Sequence, residues 1–267
     1  MPVPGDTVRL IQTGNTEYLF SAKTGMLKSV KVNGKMVPFK NGPVLCEGQA
    51  EPDSVLFSIN EKASEVTVTA HYPAKSLISR LQWTILVNGV LKMEIRYFPT
   101  AYFTNFAGVS FSYPEKEIKS IVYFGKGPYR VWKNRMKGAL LGVWEKEYNN
   151  TETGEFPWKY PEFKGYHAQM YWCRFIGRDH SFSVYTETED LFLRLFTPAW
   201  KTDQWHNYEP LFPSGDISFM QGISSIGSKT QRNETTGPMG QKNIFYDYEK
   251  EKDRALKIVL WFNFSGD

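Results

Sequence analysis

Apolar and polar side chains alternate along most of the chain. In SEVTVTAHY (64–72), every second residue from Val66 to Tyr72 is apolar. LQWTILVNGVLKMEIRYF (81–98) alternates on both sides of an Asn88-Gly89 pair. Asn-Gly between two alternating runs favours a tight β-hairpin, because both residues tolerate positive φ. A second such pair, Asn33-Gly34, follows LKSVKV. The pattern predicts antiparallel strands joined by short turns.

Five further runs read as strands: IKSIVYF (118–124), AQMYWCRF (168–175), FSVYT (182–186), LFLRLF (191–196) and LKIVLWFNF (256–264). No segment of helix length has a 3.6-residue period with caps, although short helical turns are expected near 142–150. Long loops are expected at 145–167, 197–216 and 224–243, and loops of this length are often functional. Residues 1–267 are therefore predicted to form one large antiparallel β-sandwich with long loops on one side.

Composition narrows the class of protein only slightly. The net charge of +4 is too small to indicate nucleic-acid binding by itself, and the 16% aromatic share suits strands and sugar platforms alike. Cys46 and Cys173 form no metal or redox motif and leave the compartment open. No apolar run is long enough to cross a bilayer, so no membrane partner is expected. The N-terminus has no hydrophobic signal region and is interpreted as a cut domain boundary or a processed or recombinant start.

The segment FGKGPYRVWKNR (124–135) carries two glycines around a lysine, then a proline, two aromatics and basic residues without an acid. It does not match a nucleotide-binding loop, because no helix pattern follows it and Pro128 lacks an N–H donor. Basic and aromatic side chains interleave from Lys126 to Lys137. This pattern fits phosphates, or the carboxylates and hydroxyls of a sugar, or a solvated loop.

Aromatic residues are also dense in FPWKYPEFKGYHAQMYWCRF (156–175), where they make eight of twenty. Because Tyr171 and Trp172 are neighbours in a predicted strand, at least one of them is expected in the core. The loop aromatics of this segment and of PAWKTDQWHNYEP (198–210) either line a sugar site or pack the loops, and the sequence favours neither. The four histidines lack metal-ligand spacing, so neither a metal nor a cofactor is predicted.

Taken in order, these segments resemble the C-terminal, small-chain domain of glycoside hydrolase family 2 β-galactosidases. EYLFSAKTGMLKSVKVNGKMV (17–37) is similar to the opening of that domain, and NGPVL (41–45) to the "gP-l" element that follows. FGKGPYRVWKNR resembles the pattern G-x-G-P-x-E-N-Y-x-D-R. YPEFKGYHAQMYWCRF (160–175) resembles the later P-q-E-x-G-n element. The resemblance spans nearly the whole chain, and the third landmark is the most specific.

The sequence departs from the family at three places. Arg130-Val131-Trp132 stands where the pattern has Glu-Asn-Tyr, and Asn134 stands where it has Asp. Tyr166 follows Gly165 where the pattern has Asn. In the family, a loop after an h-m-G-i strand supplies a tryptophan to the sugar site. FMQGI (219–223) resembles that strand, and the segment after it contains no tryptophan. Galactose specificity is therefore not expected to carry over.

The resemblance implies an all-β, galactose-mutarotase-like β-supersandwich of two large antiparallel sheets. It also implies that the catalytic (β/α)₈ barrel and its glutamates lie elsewhere in a longer protein, so no catalytic residue is expected here. The leading hypothesis is a carbohydrate-binding module that completes the cleft of that barrel, with no nucleic acid as partner. The predicted sugar contacts are Arg130, Trp132, Arg135, Tyr166 and His167.

Two other hypotheses remain open. The chain is alternatively a self-contained sugar epimerase or polysaccharide lyase, which needs its own acid and base, for instance His167 or His206 with Glu162 or Tyr208. It is alternatively a structural interaction domain, whose mark would be a large exposed apolar patch.

Overall fold

A computed structural model describes residues 7–149, 152–153, 160–161, 163–198, 211–227, 240–245 and 255–266 of the chain. Within these residues the secondary structure is almost entirely β, with one 3₁₀ turn at Glu115–Glu117. No helix in the described part is long and apolar enough to span a bilayer.

Twenty-one strands are present in the described ranges. They are β1 (Val8–Thr13), β2 (Thr16–Ser21), β3 (Leu27–Val32), β4 (Lys35–Val37), β5 (Lys40–Leu45), β6 (Ser54–Asn60), β7 (Glu65–His71), β8 (Ile78–Leu86), β9 (Leu91–Tyr97), β10 (Phe103–Thr104), β11 (Ala107–Ser112), β12 (Ile118–Val131), β13 (Leu140–Glu147), β14 (Glu152–Thr153), β15 (Tyr160–Pro161), β16 (Gly165–Gly177), β17 (Ser181–Thr186), β18 (Phe192–Leu195), β19 (Ile217–Gly222), β20 (Asn243–Ile244) and β21 (Leu256–Asn263).

Both predicted Asn-Gly hairpins are confirmed, and they use different turns. Asn33 and Gly34 both have positive φ and join β3 to β4 directly, as a two-residue turn requires. Between β8 and β9 only Gly89 has positive φ, and the Leu86 N–H donates to the Val90 carbonyl at 3.0 Å. The longer loop therefore needs only one residue in the left-handed region.

The long strand β16 is where the sheet divides. Its residues 172–176 pair with β17, whereas residues 165–167 pair with β18. Gln169, between the two parts, has a φ of 50° and interrupts the regular ladder. One branch runs β16–β17–β21–β9–β8–β7–β6, and the other runs β16–β18–β19–β11–β5 and continues to β3, β2 and β1. On the other side of β16 lie β12 and β13, and every pairing is antiparallel.

The two branches face each other across an aromatic core. Phe111 on β11 lies 5.7 Å from Phe262 on β21, and Phe39 stacks on Phe111 at 4.5 Å between ring centroids. Burying one such ring stabilises the fold by about 1.5–3 kcal/mol. Trp83 is fully buried, and its indole N–H donates to the Gly25 carbonyl at 2.9 Å. The predicted all-β antiparallel supersandwich is thus confirmed.

Two local predictions are wrong. Helical turns are predicted near 142–150, but residues 142–147 belong to the extended strand β13, which pairs with β12. Neither Tyr171 nor Trp172 is in the core: Tyr171 is 40% exposed and Trp172 is half-buried. The irregularity at Gln169 turns Tyr171 outward, where it stacks on Phe124 at 5.0 Å.

Candidate functional site

A row of polar side chains crosses the outer face of the second branch, on the side opposite the core. Ser110, Ser218, Arg194 and Tyr166 lie directly across from one another on β11, β19, β18 and β16. Side chains opposite each other in an antiparallel ladder share a face of the sheet. All four are fully buried, because loops cover this face. The Ser110 and Ser218 hydroxyls are 2.8 Å apart.

Arg194 fixes one of the covering loops. Its guanidinium donates to the carbonyls of Pro213 at 2.8 Å and Gly215 at 2.6 Å, and to the Thr197 hydroxyl at 2.5 Å. Burial lowers the pKa of this guanidinium, although Tyr166, among other groups, opposes the shift. Arginine remains charged despite such shifts, so the row carries a buried cation satisfied mainly by carbonyl oxygens.

Three aromatic rings pack beside Arg194. Phe212 stacks on Tyr166 with centroids 5.3 Å apart, and Trp132 meets both rings edge-on at 5.5 Å. The Tyr166 hydroxyl donates to the Leu211 carbonyl at 3.0 Å, which the Ser224 hydroxyl also reaches. Trp132 and Tyr166, both predicted from the sequence as sugar contacts, therefore come together as a packed unit under the loop that contains Leu211.

The two glycines of FGKGPYRVWKNR are required by close packing. A Cβ on Gly127 would lie 2.2 Å from the Tyr123 hydroxyl and 2.7 Å from the Trp144 ring. A Cβ on Gly125 would lie 2.9 Å from the Gln169 carbonyl oxygen on β16. The glycine pattern thus belongs to the packing of β12, and a phosphate-binding loop is not needed to explain it.

The end of that motif, Trp132–Arg135, forms a tight turn that we call the motif turn. The Arg135 N–H donates to the Trp132 carbonyl at 2.8 Å. Asn134 binds the backbone of Ile226 twice: its side-chain amide donates to the carbonyl at 2.9 Å, and its side-chain oxygen accepts from the N–H at 3.0 Å. The Lys133 N–H donates to the Ser224 carbonyl at 2.9 Å. The motif turn is therefore bonded to the segment that follows FMQGI.

Lys133 extends this junction to a third segment. Its ammonium group donates to the carbonyls of Gly240, at 3.0 Å, and Lys242. Partial burial lowers the pKa of Lys133. The motif turn, the segment 224–226 and the segment 240–242 thus meet at one end of the second branch.

The remaining predicted contacts lie around this junction in different environments. Arg135 is exposed, and its guanidinium reaches only the neighbouring Asn134 carbonyl, at 3.0 Å, among the described residues. Arg130 is half-buried and donates to the Lys164 carbonyl at 3.3 Å, which ties β12 to the start of β16. Trp132 is 6% exposed. That these residues contact a sugar stays a prediction.

His167, the fifth predicted contact, is fully buried, and neither ring nitrogen has a hydrogen-bond partner. Its ring lies 5.4 Å from that of Tyr123, whose hydroxyl is also buried without a partner. Burial holds the pKa of His167 well below its ordinary value, and the charges of Lys146 and Arg130 act in the same direction. The Phe163 carbonyl favours the protonated ring, but no hydrogen bond of normal geometry forms. His167 is therefore neutral at pH 7.

Sequence reasoning missed two residues at this end of the molecule. Glu47 accepts hydrogen bonds from the Thr100 hydroxyl at 2.8 Å and from the N–H groups of Asn105 and Phe106 at 2.8 and 3.1 Å. Burial opposes its ionisation, but these bonds outweigh burial and hold its pKa below the ordinary value. Arg194 is the other. An arginine inside the apolar run LFLRLF was the available signal.

Some predicted groups lie outside the described residues, namely His206, Glu162 and Tyr208. In the part of the chain that the structure describes, no cluster of histidine, cysteine and carboxylate side chains could hold a metal ion. Cys46 and Cys173 are both buried and unpaired.

Comparisons with known proteins identify one family and several distant folds. The family model described as "Beta galactosidase small chain" matches residues 12–208. No curated protein matches the chain. A putative aldose 1-epimerase from Escherichia coli K12 is 10% identical over 97% of this chain and 99% of its own, with a TM-score of 0.45. A GalM/aldose epimerase homologue from C. elegans is 8% identical over 98% and 99%, with a TM-score of 0.44.

A galactose mutarotase related enzyme from Lactobacillus acidophilus gives 10% identity over 97% of each chain, with a TM-score of 0.41. These solved structures are described as epimerase and mutarotase relatives, not as glycoside hydrolases. At this level of similarity they assign neither a reaction nor a substrate to the chain.

Proposed function

The chain belongs to the β-galactosidase small-chain family, and from this premise we propose that it is a non-catalytic module that completes the sugar cleft of a family 2 glycoside hydrolase. The catalytic barrel in this proposal is another part of a longer protein. The module contributes loop residues to one wall of the cleft, and the barrel contributes the acid and the nucleophile.

One observation carries the proposal. Asn134 binds both backbone polar groups of Ile226 and so ties the motif turn to the segment after β19. In the family, that segment leads into the loop that enters the sugar site. The most specific sequence landmark and the expected cleft loop therefore share one rigid junction. A cleft wall needs such rigidity, because a side chain displaced by about 1 Å can cost a hundredfold in rate.

The predicted contacts divide into three groups. Arg135 is exposed at the motif turn and is proposed to hydrogen-bond sugar hydroxyls or a carboxylate. Arg130 is half-buried and Trp132 is 6% exposed, and both are proposed to complete the wall. Tyr166 and His167 are fully buried, so they are proposed to act by supporting the wall from below.

The first experiment concerns the polypeptide to which the chain belongs. The reading frame upstream of Met1 should encode a (β/α)₈ pattern with glutamates at two strand ends. In that enzyme, Arg135→Ala should raise KM for aryl glycosides about tenfold while leaving the fold intact, as loss of one charged hydrogen bond predicts. Arg80→Ala, which removes an exposed arginine of β8, is the matched control.

A second variant tests the junction itself. Asn134→Ala removes two hydrogen bonds and should lower kcat and raise KM together, because the wall loses its position. Unchanged kinetics in both variants would refute the proposed cleft wall. Turnover of an aldose or uronate by the 267-residue chain alone, abolished by His167→Ala, would instead establish a self-contained enzyme.

A further inference from the structure

We propose that the chain has a second carbohydrate site, a cleft on the outer face of the first branch that binds a neutral oligosaccharide beside Trp172 and Tyr185. The cleft lies on a different branch from the covered polar row. The inference therefore goes beyond the proposed function and does not depend on it.

An aromatic row crosses this face from strand to strand. Phe124 on β12 lies opposite Trp172 on β16, Trp172 opposite Tyr185 on β17, and Tyr185 opposite Trp261 on β21. The row spans about 14 Å, since neighbouring strands are about 4.8 Å apart. Tyr185 is 45% exposed, and the other three rings are half-buried. We call these residues the aromatic row.

The cleft opens beside two rings of that row, Trp172 and Tyr185, over the cross-strand pairs Arg174–Ser183 and Ile176–Ser181. It has a volume of about 490 Å³, which is within the usual range for small-ligand sites. Its lining comes from three adjacent strands and consists of Val122, Trp172, Arg174, Ile176, Ser181, Ser183 and Tyr185. The small side chains of Ser181 and Ser183 leave space below the taller rings, so a flat ligand fits against Trp172 or Tyr185.

Hydrogen-bonding groups in the cleft are available to a ligand. Arg174 uses one nitrogen to reach the Gly266 carbonyl at 2.8 Å, which holds the side chain in place. Among the described residues, no hydrogen bond engages the Ser181, Ser183 and Tyr185 hydroxyls or the Trp172 indole N–H. These groups are donors, and the hydroxyls are also acceptors.

The two end rings of the aromatic row, Phe124 and Trp261, are held in place by contacts with other side chains. At one end Phe124 stacks on Tyr171 at 5.0 Å. At the other end the Trp261 indole N–H donates to Glu187 at 2.7 Å, and the Lys92 ammonium lies over the Trp261 ring at 4.5 Å.

The chemistry of the lining favours a neutral sugar over other occupants. A sugar ring has apolar C–H faces that suit aromatic rings and hydroxyls around its edge that suit serine and arginine. Arg174 is the only charged residue that lines the described cleft, so a nucleic acid would find too few cations. A docked protein segment would have to supply a hydrogen-bond partner for each polar group of the lining.

Isothermal titration calorimetry of the 267-residue chain with neutral polysaccharides tests the proposal, using galactan, galactomannan, xyloglucan and dextran as probes. At least one probe should bind and quench tryptophan fluorescence. Trp172→Ala and Tyr185→Ala should each weaken that binding about tenfold, as expected for the loss of one ring face. Tyr102→Ala removes another exposed ring and should change nothing.

Thermal unfolding of each variant separates a folding defect from a binding defect. Arg135→Ala should bind the probe as the wild type does, so a failed cleft wall and a failed second site give different results. The proposal is overturned if no probe binds, or if the folded Trp172→Ala and Tyr185→Ala variants bind as tightly as the wild type. It is also overturned if these variants bind the sugar normally but no longer associate with the rest of the parent polypeptide. The face would then be a contact between domains.

Discussion

His167 should make the stability of the protein depend on pH in a narrow window. The native ring is fully buried and has no hydrogen-bond partner, and its pKa lies well below the ordinary 6.5. The charged groups that face it, Lys146 on β13 and Arg130 on β12, also oppose protonation. Below pH 6.5 the unfolded chain therefore gains a proton that the native chain does not.

This difference in bound protons sets the sign and the size of the pH effect on the free energy of unfolding. Because the unfolded state binds more protons, stability falls as pH falls below 6.5, until the folded pKa is reached. Between the unfolded and the folded pKa values of His167, each pH unit costs up to about 1.36 kcal/mol of stability. Carboxylates with lowered pKa values, such as Glu47 and Glu94, add their losses at lower pH.

Urea unfolding at pH 7.0, 6.0 and 5.0 provides the measurement. His167→Leu, which is close in size and cannot titrate, should remove most of the pH dependence in this window. His71→Gln changes an exposed histidine and should keep the wild-type dependence. If the wild type and His167→Leu lose the same free energy of unfolding between pH 7 and 5, the reasoning about the buried ring is wrong.

Three other predictions follow from packing and burial. Gly127→Ala should lower the free energy of unfolding, measured by urea titration, by about 1–3 kcal/mol, because its Cβ would clash with Tyr123 and Trp144. Gly142→Ala is the control: its Cβ would make only ordinary contacts, so the loss should be much smaller. Arg194→Met should cost about 2–4 kcal/mol by leaving loop carbonyls unpaired, and an unchanged urea midpoint would mean that water reaches them. Burial raises the pKa of Cys46 to about 11 and that of Cys173 well above its ordinary value, so a thiol reagent at pH 8 should label neither until the protein unfolds.

Local patterns were enough to predict most of the strands. Alternation placed β7, β8 and β9 correctly, and Asn-Gly marked both hairpins, because side chains of a strand alternate between a buried and an exposed face. The family landmarks were also visible in the sequence, as a resemblance to the patterns of a known family. Helical turns near 142–150 were wrong because pairing with β12 overrides weak local preference.

The candidate site was only partly predictable. Trp132 and Tyr166 are adjacent in space, as a shared site requires, yet both are buried under a loop containing Phe212, whose position no local pattern indicates. Arg194 became visible as a loop anchor only once β18 and β19 were paired. The aromatic row was hidden for the same reason, since its four rings come from four separate strands.

The sequence by itself determined the periodicity, the hairpin turns and the family to which the chain belongs. These depend on neighbouring residues and on fixed spacings along the chain. Only the tertiary structure decided which aromatic side chains are core, which hold loops and which face solvent. The physical reason is that burial depends on contacts between residues far apart in the chain, and the division of β16 into two branches sets those contacts.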